Sequence, residues 1–332
     1  MNSPLQTRHE PPPMMQAKSQ YSRGYMIALG ATLLWSTTGV IISHLSRSYD
    51  LPSLVLAFWR DLFVALGLAA AFLVSSAGHF RLGREHWGFL VWYGLILALF
   101  NSMWTFSVEF NGASVATVLA FSSPAMTAVL ERLIFRATIS RTQLASIALA
   151  ITGTVLVSGA HDPAAWQVNA AGISFGLLTG LFFACYNMMG KAAANKAIDS
   201  WTAQFYSFGG AAAFLLLFNL ATDILTGATP LSNLTWLGGS WAGWGWLLLL
   251  GLGPTLGGFG LYTMSLNFLP ATVANLIATL EPALTAIWAY FLLGEQLSGV
   301  QLLGSVCIFT GVILLRIGNR NGRLQDNAFQ LQ

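Results

Sequence analysis

The sequence predicts an all-α integral membrane protein in which ten transmembrane helices are arranged as two inverted five-helix repeats. Three observations carry this expectation. Of the 332 residues, 55% are hydrophobic and only 8% are charged, and the apolar runs are too long and too uniform for a soluble core. Residues 113–156 return as residues 271–314 at an offset of 158: Pro124 recurs as Pro282, Gly153 as Gly311, PAMTAVL as PALTAIW and ITGTVLV as FTGVILL. The second copy has lost nearly all the positive charge of the first, as expected if the two cross the membrane in opposite directions.

The spans follow from windows of about 20 apolar residues. Residues 1–24, with Pro11, Pro12 and Pro13 among mixed polar residues, lack a signal peptide's compact apolar core and read as a flexible cytoplasmic tail. Span 1 (25–46) carries ALGATLLWSTTGV, and span 2 (53–76) carries AFWRDLF. Span 3 (87–108) is continuously apolar, span 4 (113–135) holds Ser122, Ser123 and Pro124 near its middle, and span 5 (142–160) completes a first repeat over 25–160. In span 6 (169–191), Gly172, Gly176 and Gly180 form a small face at four-residue steps, a surface for close helix contact. Span 7 (201–222) is followed by span 8 (244–267), whose run GLGPTLGGFG marks a bend at Gly257 and Gly258. Span 9 (271–293) contains Glu281-Pro282, and span 10 (299–318) ends a second repeat over 161–318, followed by a cytoplasmic tail, 319–332. Continuous apolar runs rather than ten-residue alternation favour helices over an outer-membrane barrel.

Loop charge sets the orientation. With a cytoplasmic N-terminus, thirteen of the fifteen Lys and Arg residues fall inside, Arg47 falls outside and Arg60 lies within span 2. FRATISR after span 4 is then cytoplasmic and LGEQLSG after span 9 external, because five spans per repeat impose inversion. Both termini are cytoplasmic, and the host is read as the plasma (inner) membrane. The net charge of +3 is accounted for by these loops, which argues against a nucleic-acid partner. Cys185 and Cys307 both fall inside spans and read as packing residues.

An ionisable side chain in the hydrocarbon region must be paired or wet. Three stand out: Arg60 and Asp61, about 100° apart on span 2, and Glu281, directly before Pro282. Arg60 either balances an anionic group of the solute or anchors the helix structurally. Glu281 is a candidate solute contact and proton-coupling residue, or else it positions a kink. Pro124 and Pro282 are read as matched kinks around one midplane site, with Ser123 the repeat partner of Glu281. Trp35, Asn101, Trp104, Tyr186, Asn187 and Tyr262 complete the candidate substrate-binding set, with Pro124, Gly257, Gly258 and Pro282 as hinges. Trp87, Trp236, Trp241, Trp244 and Trp246 lie near span ends and read as membrane-interface residues.

The stretch LIATLEPALTAIWAYFLLGEQLSGVQLLGSVCIFTGVILL, with its EP, GE and TG elements, resembles the closing helices of the EamA-type branch of the drug/metabolite transporter superfamily. ALGATLLWSTTGV and AFWRDLF extend the similarity over residues 25–318. The resemblance implies ten helices, inverted five-helix repeats, cytoplasmic termini, and a central cavity lined mainly by helices 1, 3, 4, 6, 8 and 9. It also implies export of amino acids or other small metabolites. The first repeat departs from the pattern at Ser123, Arg136 and Ala137, where the second has Glu281, Gly294 and Glu295.

The function expected is therefore a secondary active transporter that exports a small metabolite by alternating access. No P-loop, H-E-x-x-H motif or metal-ligand set occurs, which argues against ATP-driven pumping, an enzyme and a bound cofactor. With only Arg60 cationic inside the membrane, an amino acid or similar amphipathic solute is favoured over a phosphorylated one. A carrier of nucleotide-sugar or drug-like solutes and a channel-like facilitator are the alternatives. The expected partners are the solute and the lipid bilayer, with the oligomeric state left open.

Overall fold

The computed structural model describes residues 13–75, 83–136, 138–163, 170–293 and 298–330. Arg81, Ala137, Gly294, Glu295, residues 1–12 and most of LGEQLSG lie outside the described residues. Thirteen α-helices follow one another among the described residues: α1 (Pro13–Trp35), α2 (Thr38–Tyr49), α3 (Ser53–Ser75), α4 (Trp87–Ala120), α5 (Ser123–Phe135), α6 (Arg141–Val157), α7 (Ala170–Asn195), α8 (Ser200–Thr226), α9 (Trp241–Leu250), α10 (Leu256–Ser265), α11 (Ala271–Ala278), α12 (Glu281–Leu293) and α13 (Gly299–Gln330). Eight segments are long and apolar enough to cross a membrane, and Arg141–Val157 is a shorter apolar helix. The chain is an all-α membrane protein.

The ten expected spans map onto these helices, with four of them interrupted. Span 1 breaks between α1 and α2, where Ser36 and Thr37 hydroxyls donate to Leu33 O (2.7 Å) and Leu34 O (2.8 Å). Spans 4 and 9 break before α5 and α12, where Ser122 Oγ donates to Leu119 O and Thr279 Oγ1 to Leu276 O, each at 2.6 Å. In a bilayer no bulk water can satisfy the carbonyls freed at such breaks, so a hydroxyl one turn away does so. This relocates the expected kinks. Pro124 and Pro282 are not inside bent helices but are the second residues of α5 and α12, where the missing N–H is one a helix start leaves unpaired anyway. In span 8 the irregularity is a π-helical turn, Gly251–Thr255, containing Pro254. Pro254 cannot donate to Leu250 O, and Thr255 Oγ1 takes that carbonyl instead at 2.7 Å. Gly257 and Gly258 lie in the first turn of α10, just past this bend.

Spans 3 and 4 share α4, which is not one straight rod. Ser107 and Leu119 would stand about 18 Å apart on a straight helix, yet both abut Gly176, so the chain reverses between them. Gly172, Gly176 and Gly180 are indeed the contact face expected. Ser107 Oγ donates to Gly172 O, and Gly180 has Ser122 against it.

Contacts between the two copies are ordered. α6 and α13 run antiparallel, with Gly153 against Gly304, Ser146 against Gly311 and Thr142 against Gly318. α3 and α8 are antiparallel too: Asn219 donates to Leu54 O, and Phe72 meets Phe205. α1 crosses α10 from Gly24 near Phe268 to Trp35 near Phe259. α4 crosses α7 from Tyr93 near Tyr186 to Phe100 near Phe183. The start of α1 and the basic end of α13 meet at one end of the bundle, where the Arg316 guanidinium lies over Tyr25. Of the five tryptophans expected at the membrane interface, Trp87, Trp236, Trp241 and Trp246 are exposed, whereas Trp244 is half-buried against Trp59 and donates to Gly238 O.

Candidate functional site

Helix breaks in spans 1, 4, 8 and 9 surround a cavity of about 140 Å³. Six aromatic residues line it: Trp35, Phe100, Trp104, Phe121, Phe183 and Phe259. Several of these rings brace one another, with Trp35 edge-on to Phe259 at 4.7 Å and Phe100 stacked on Phe183 at 4.9 Å. Polar residues are as many on the wall: Thr38, Arg60, Asn101, Thr117, Thr255 and Glu281. The helices expected to line a cavity do so, and span 2 joins them through Arg60.

Arg60 does not face the cavity as a free cation. Its Nε donates to Asp61 Oδ1 at 3.3 Å and its Nη2 to Asn101 Oδ1 at 2.5 Å, while Asn101 Nδ2 donates to Asp61 Oδ2 at 2.7 Å. The three side chains close a triangle, with Asp61 fully buried and Arg60 and Asn101 nearly so. Adjacent residues on a helix need not meet, but here the long arginine folds back and Asn101 bridges the pair. Such closure is what makes two charges tolerable away from water. Glu281 is different. It is only partly buried, faces the cavity, and among the described residues its carboxylate has no hydrogen-bond or ionic partner.

Of the nine sequence-derived solute contacts, Trp35, Arg60, Asn101, Trp104 and Glu281 line this cavity. Ser123, Tyr186, Asn187 and Tyr262 do not; all four are fully buried beneath it. They belong to a hydrogen-bonded floor. Tyr262 donates to Asn187 Oδ1 (2.8 Å), Asn187 Nδ2 to Thr127 Oγ1 (3.5 Å), and Asn275 Nδ2 to both Thr127 Oγ1 (2.9 Å) and Ser123 Oγ (3.3 Å). Tyr186 lies beside this series with its own partner, donating to Gln204 Oε1, which also accepts from Thr263. The series from Tyr262 to Ser123 ties spans 4, 6, 8 and 9 together and separates the cavity from the end of the bundle where α10 turns into α11.

A second closure lies at that end. Glu131, 7% exposed, accepts from Ala271 N (3.0 Å), Thr272 N (3.2 Å) and Thr272 Oγ1 (2.6 Å), capping the start of α11. Lys191 donates to Leu266 O and Leu269 O, holding the carbonyls at the end of α10. The two residues therefore clamp the α10–α11 corner, each supplying the charge that complements a helix end. Both also line a separate cavity of about 500 Å³. Glu131 falls inside span 4 and is not among the sequence candidates, and Lys191, the last residue of span 6, counts there only as a cytoplasmic charge. An acidic residue four positions from the end of span 4 gave no hint of a cap on a helix of the other copy. The phenylalanines of the cavity were missed as well, since composition does not separate cavity-facing from lipid-facing rings.

Trp35 is 6% exposed, and its Nε1 has no hydrogen-bond partner. It rests against Gly258, where an added Cβ would lie 2.4 Å from Trp35 Cδ1 and 2.5 Å from Nε1. Gly258→Ala should therefore push the indole into the cavity and reduce solute binding, leaving the folded yield near wild type. Unchanged Trp35 fluorescence and unchanged binding would refute this account of Gly258.

Known proteins resemble this arrangement over nearly their whole length. The transporter YwfM of Bacillus subtilis (strain 168), itself uncharacterised, is 23% identical over 304 residues, covering 91% of this chain and 97% of YwfM. A probable amino-acid metabolite efflux pump of Salmonella typhimurium is 25% identical over 314 residues, covering 89% and 95%. A solved crystal structure shares the fold with a TM-score of 0.73 at 16% identity, covering 90% of this chain and 98% of that one. The pattern that defines one transporter family matches twice, at residues 22–159 and 170–317, once on each copy of the duplicated unit. A membrane protein so built, with a cavity walled by both copies, belongs to the EamA-like transporter family and is a transporter rather than an enzyme.

Proposed function

We propose that the protein is a secondary active transporter that exports a small amphipathic metabolite, an amino acid or a solute like it, by alternating access around this cavity. In this reading the chain is two inverted five-helix repeats in the plasma membrane with both termini cytoplasmic, and the cavity faces outward. Positive charge supports the orientation, since Arg23, Arg132, Arg136, Arg141 and Lys196 gather toward the end that carries the termini.

The observation that carries the proposal is that contacts between the copies exchange under the 158-residue shift. Gly153 against Gly304 becomes Gly311 against Ser146, and both contacts exist. The same shift turns the Ser123–Asn275 hydrogen bond into the pair Glu281 and Thr117, both of which line the cavity. One member of this pair of junctions is shut and its counterpart borders open space. Exchanging the two conformations between repeats would open the floor and close the cavity, which is the essence of alternating access. The name of the Salmonella relative supports an amino-acid-like solute, and Glu281 is the residue available to couple proton movement.

Counterflow tests this. Proteoliposomes preloaded with the transported amino acid should take up the labelled solute several-fold faster than empty ones. Uptake indifferent to internal solute would replace the carrier reading with a channel-like facilitator.

A further inference from the structure

Three features of the cavity wall point to the chemistry of its occupant. The first is charge. Arg60 and Asp61 cancel, and Asn101 saturates the faces they turn to each other. The Glu281 carboxylate is thus left as the uncompensated charge on the wall among the described residues. The second is the lining, to which aromatic rings come from several helices at once: Trp35 on α1, Phe100 on α4, Phe183 on α7 and Phe259 on α10. An aromatic ring presents a negative face that attracts a cation and repels an anion. The third is position. Glu281 opens α12, immediately after the break at Thr279 and Leu280, so its side chain enters the cavity from a helix start rather than from a packed helix face.

We propose that Glu281 and this aromatic wall form a subsite for an organic ammonium group, so that the solute is recognised through its amine and needs no carboxylate. The inference rests on reading the cavity as the solute site, and it narrows that reading. The ammonium nitrogen donates to the Glu281 carboxylate, and the apolar remainder lies among Trp35, Phe100, Phe183 and Phe259. A carboxylate on the same solute meets, at Arg60, a guanidinium whose charge Asp61 already balances and whose Nε and one Nη2 proton are already given to Asp61 and Asn101. Amines lacking a carboxylate are therefore bound at least as tightly as the corresponding amino acids, and the corresponding acids lacking an amine are rejected.

The test is equilibrium binding to full-length protein in lipid nanodiscs, using phenethylamine, phenylalanine and 3-phenylpropionate, which share one ring and differ in charged groups. Phenethylamine should bind at least as tightly as phenylalanine, and 3-phenylpropionate at least tenfold more weakly than either. Glu281→Gln should weaken phenethylamine by tenfold or more and leave 3-phenylpropionate unchanged or improved, while Glu281→Asp, which keeps the charge, should restore most of the affinity. The comparison of phenethylamine with 3-phenylpropionate on the unmutated protein keeps the test decisive if Glu281→Gln fails to fold. Equal binding of phenethylamine and 3-phenylpropionate, or unaltered phenethylamine affinity in Glu281→Gln, overturns the proposal. Counterflow separates this from the broader reading. Trans-stimulated exchange of a carboxylate without an amine would retain the transporter and discard the ammonium subsite, whereas amine binding without any trans-stimulation would do the reverse.

Discussion

Replacing Asp61 with alanine is expected to destabilise the folded protein by about 3–5 kcal/mol, because it leaves Arg60 charged and nearly buried without its partner. Asp61 is 0% exposed and receives bonds from both Arg60 and Asn101, so its loss unpairs two donors at once. Arg60→Gln should also lower folded yield, since it strands Asp61. Replacing both together, Arg60→Met with Asp61→Leu, removes the two charges and should recover most of the stability. Thermal unfolding in detergent, read by size-exclusion chromatography, measures all three variants. Asp61→Ala melting with the wild type would mean that cavity water solvates Arg60 well enough to make the pair dispensable.

Gly153→Leu is the second large effect. A Cβ there would lie 2.5 Å from Gly304 O and 2.9 Å from Ile308 N, and backbone atoms cannot swing aside as a side chain can. α6 and α13 would have to separate along their length, with an overpacking penalty of at least about 1–3 kcal/mol. Gly245→Leu is the control, because nothing lies within 4 Å of a Cβ added at that helical position. A large fall in melting temperature for Gly153→Leu and little change for Gly245→Leu is the expected pair of results. Equal melting temperatures would show that the α6–α13 contact is not tight in the membrane-extracted protein.

Much of the fold was legible because membrane solvation leaves few solutions. A run of apolar residues must be a helix, and matched prolines, glycines and loop charges at a fixed offset reveal duplication. What periodicity could not reveal was where helices stop inside the bilayer. The breaks at Ser36, Ser122 and Thr279 are made by hydroxyls that close onto carbonyls one turn back, and such residues are equally at home in an unbroken helix. The site was half legible for a related reason. Arg60, Asn101 and Glu281 are costly in lipid, so their inward placement could be inferred, and Trp35 and Trp104 accompany them. Asn187 and Tyr262 are just as polar, yet they bond to each other in the floor, and Tyr186 is held by Gln204. The distinction between lining a cavity and closing it depends on hydrogen-bond partners from other helices, which no single span encodes. Glu131 makes the same point, since its partners are the first residues of a helix 140 positions away.

The seam between α6 and α13 bears on ancestry. A contact that maps onto itself when the copies are exchanged is what two separate, identical chains form across a two-fold axis. Such a pair would have been bound by symmetry, so a carboxylate introduced at one cavity would have appeared at its equivalent as well. Here that equivalent is Ser123, sealed in the floor against Asn275, where an unpaired charge could not be accommodated. Two copies held in one chain are free of this constraint: Glu281 stands at one position while its counterpart is the hydroxyl of Ser123.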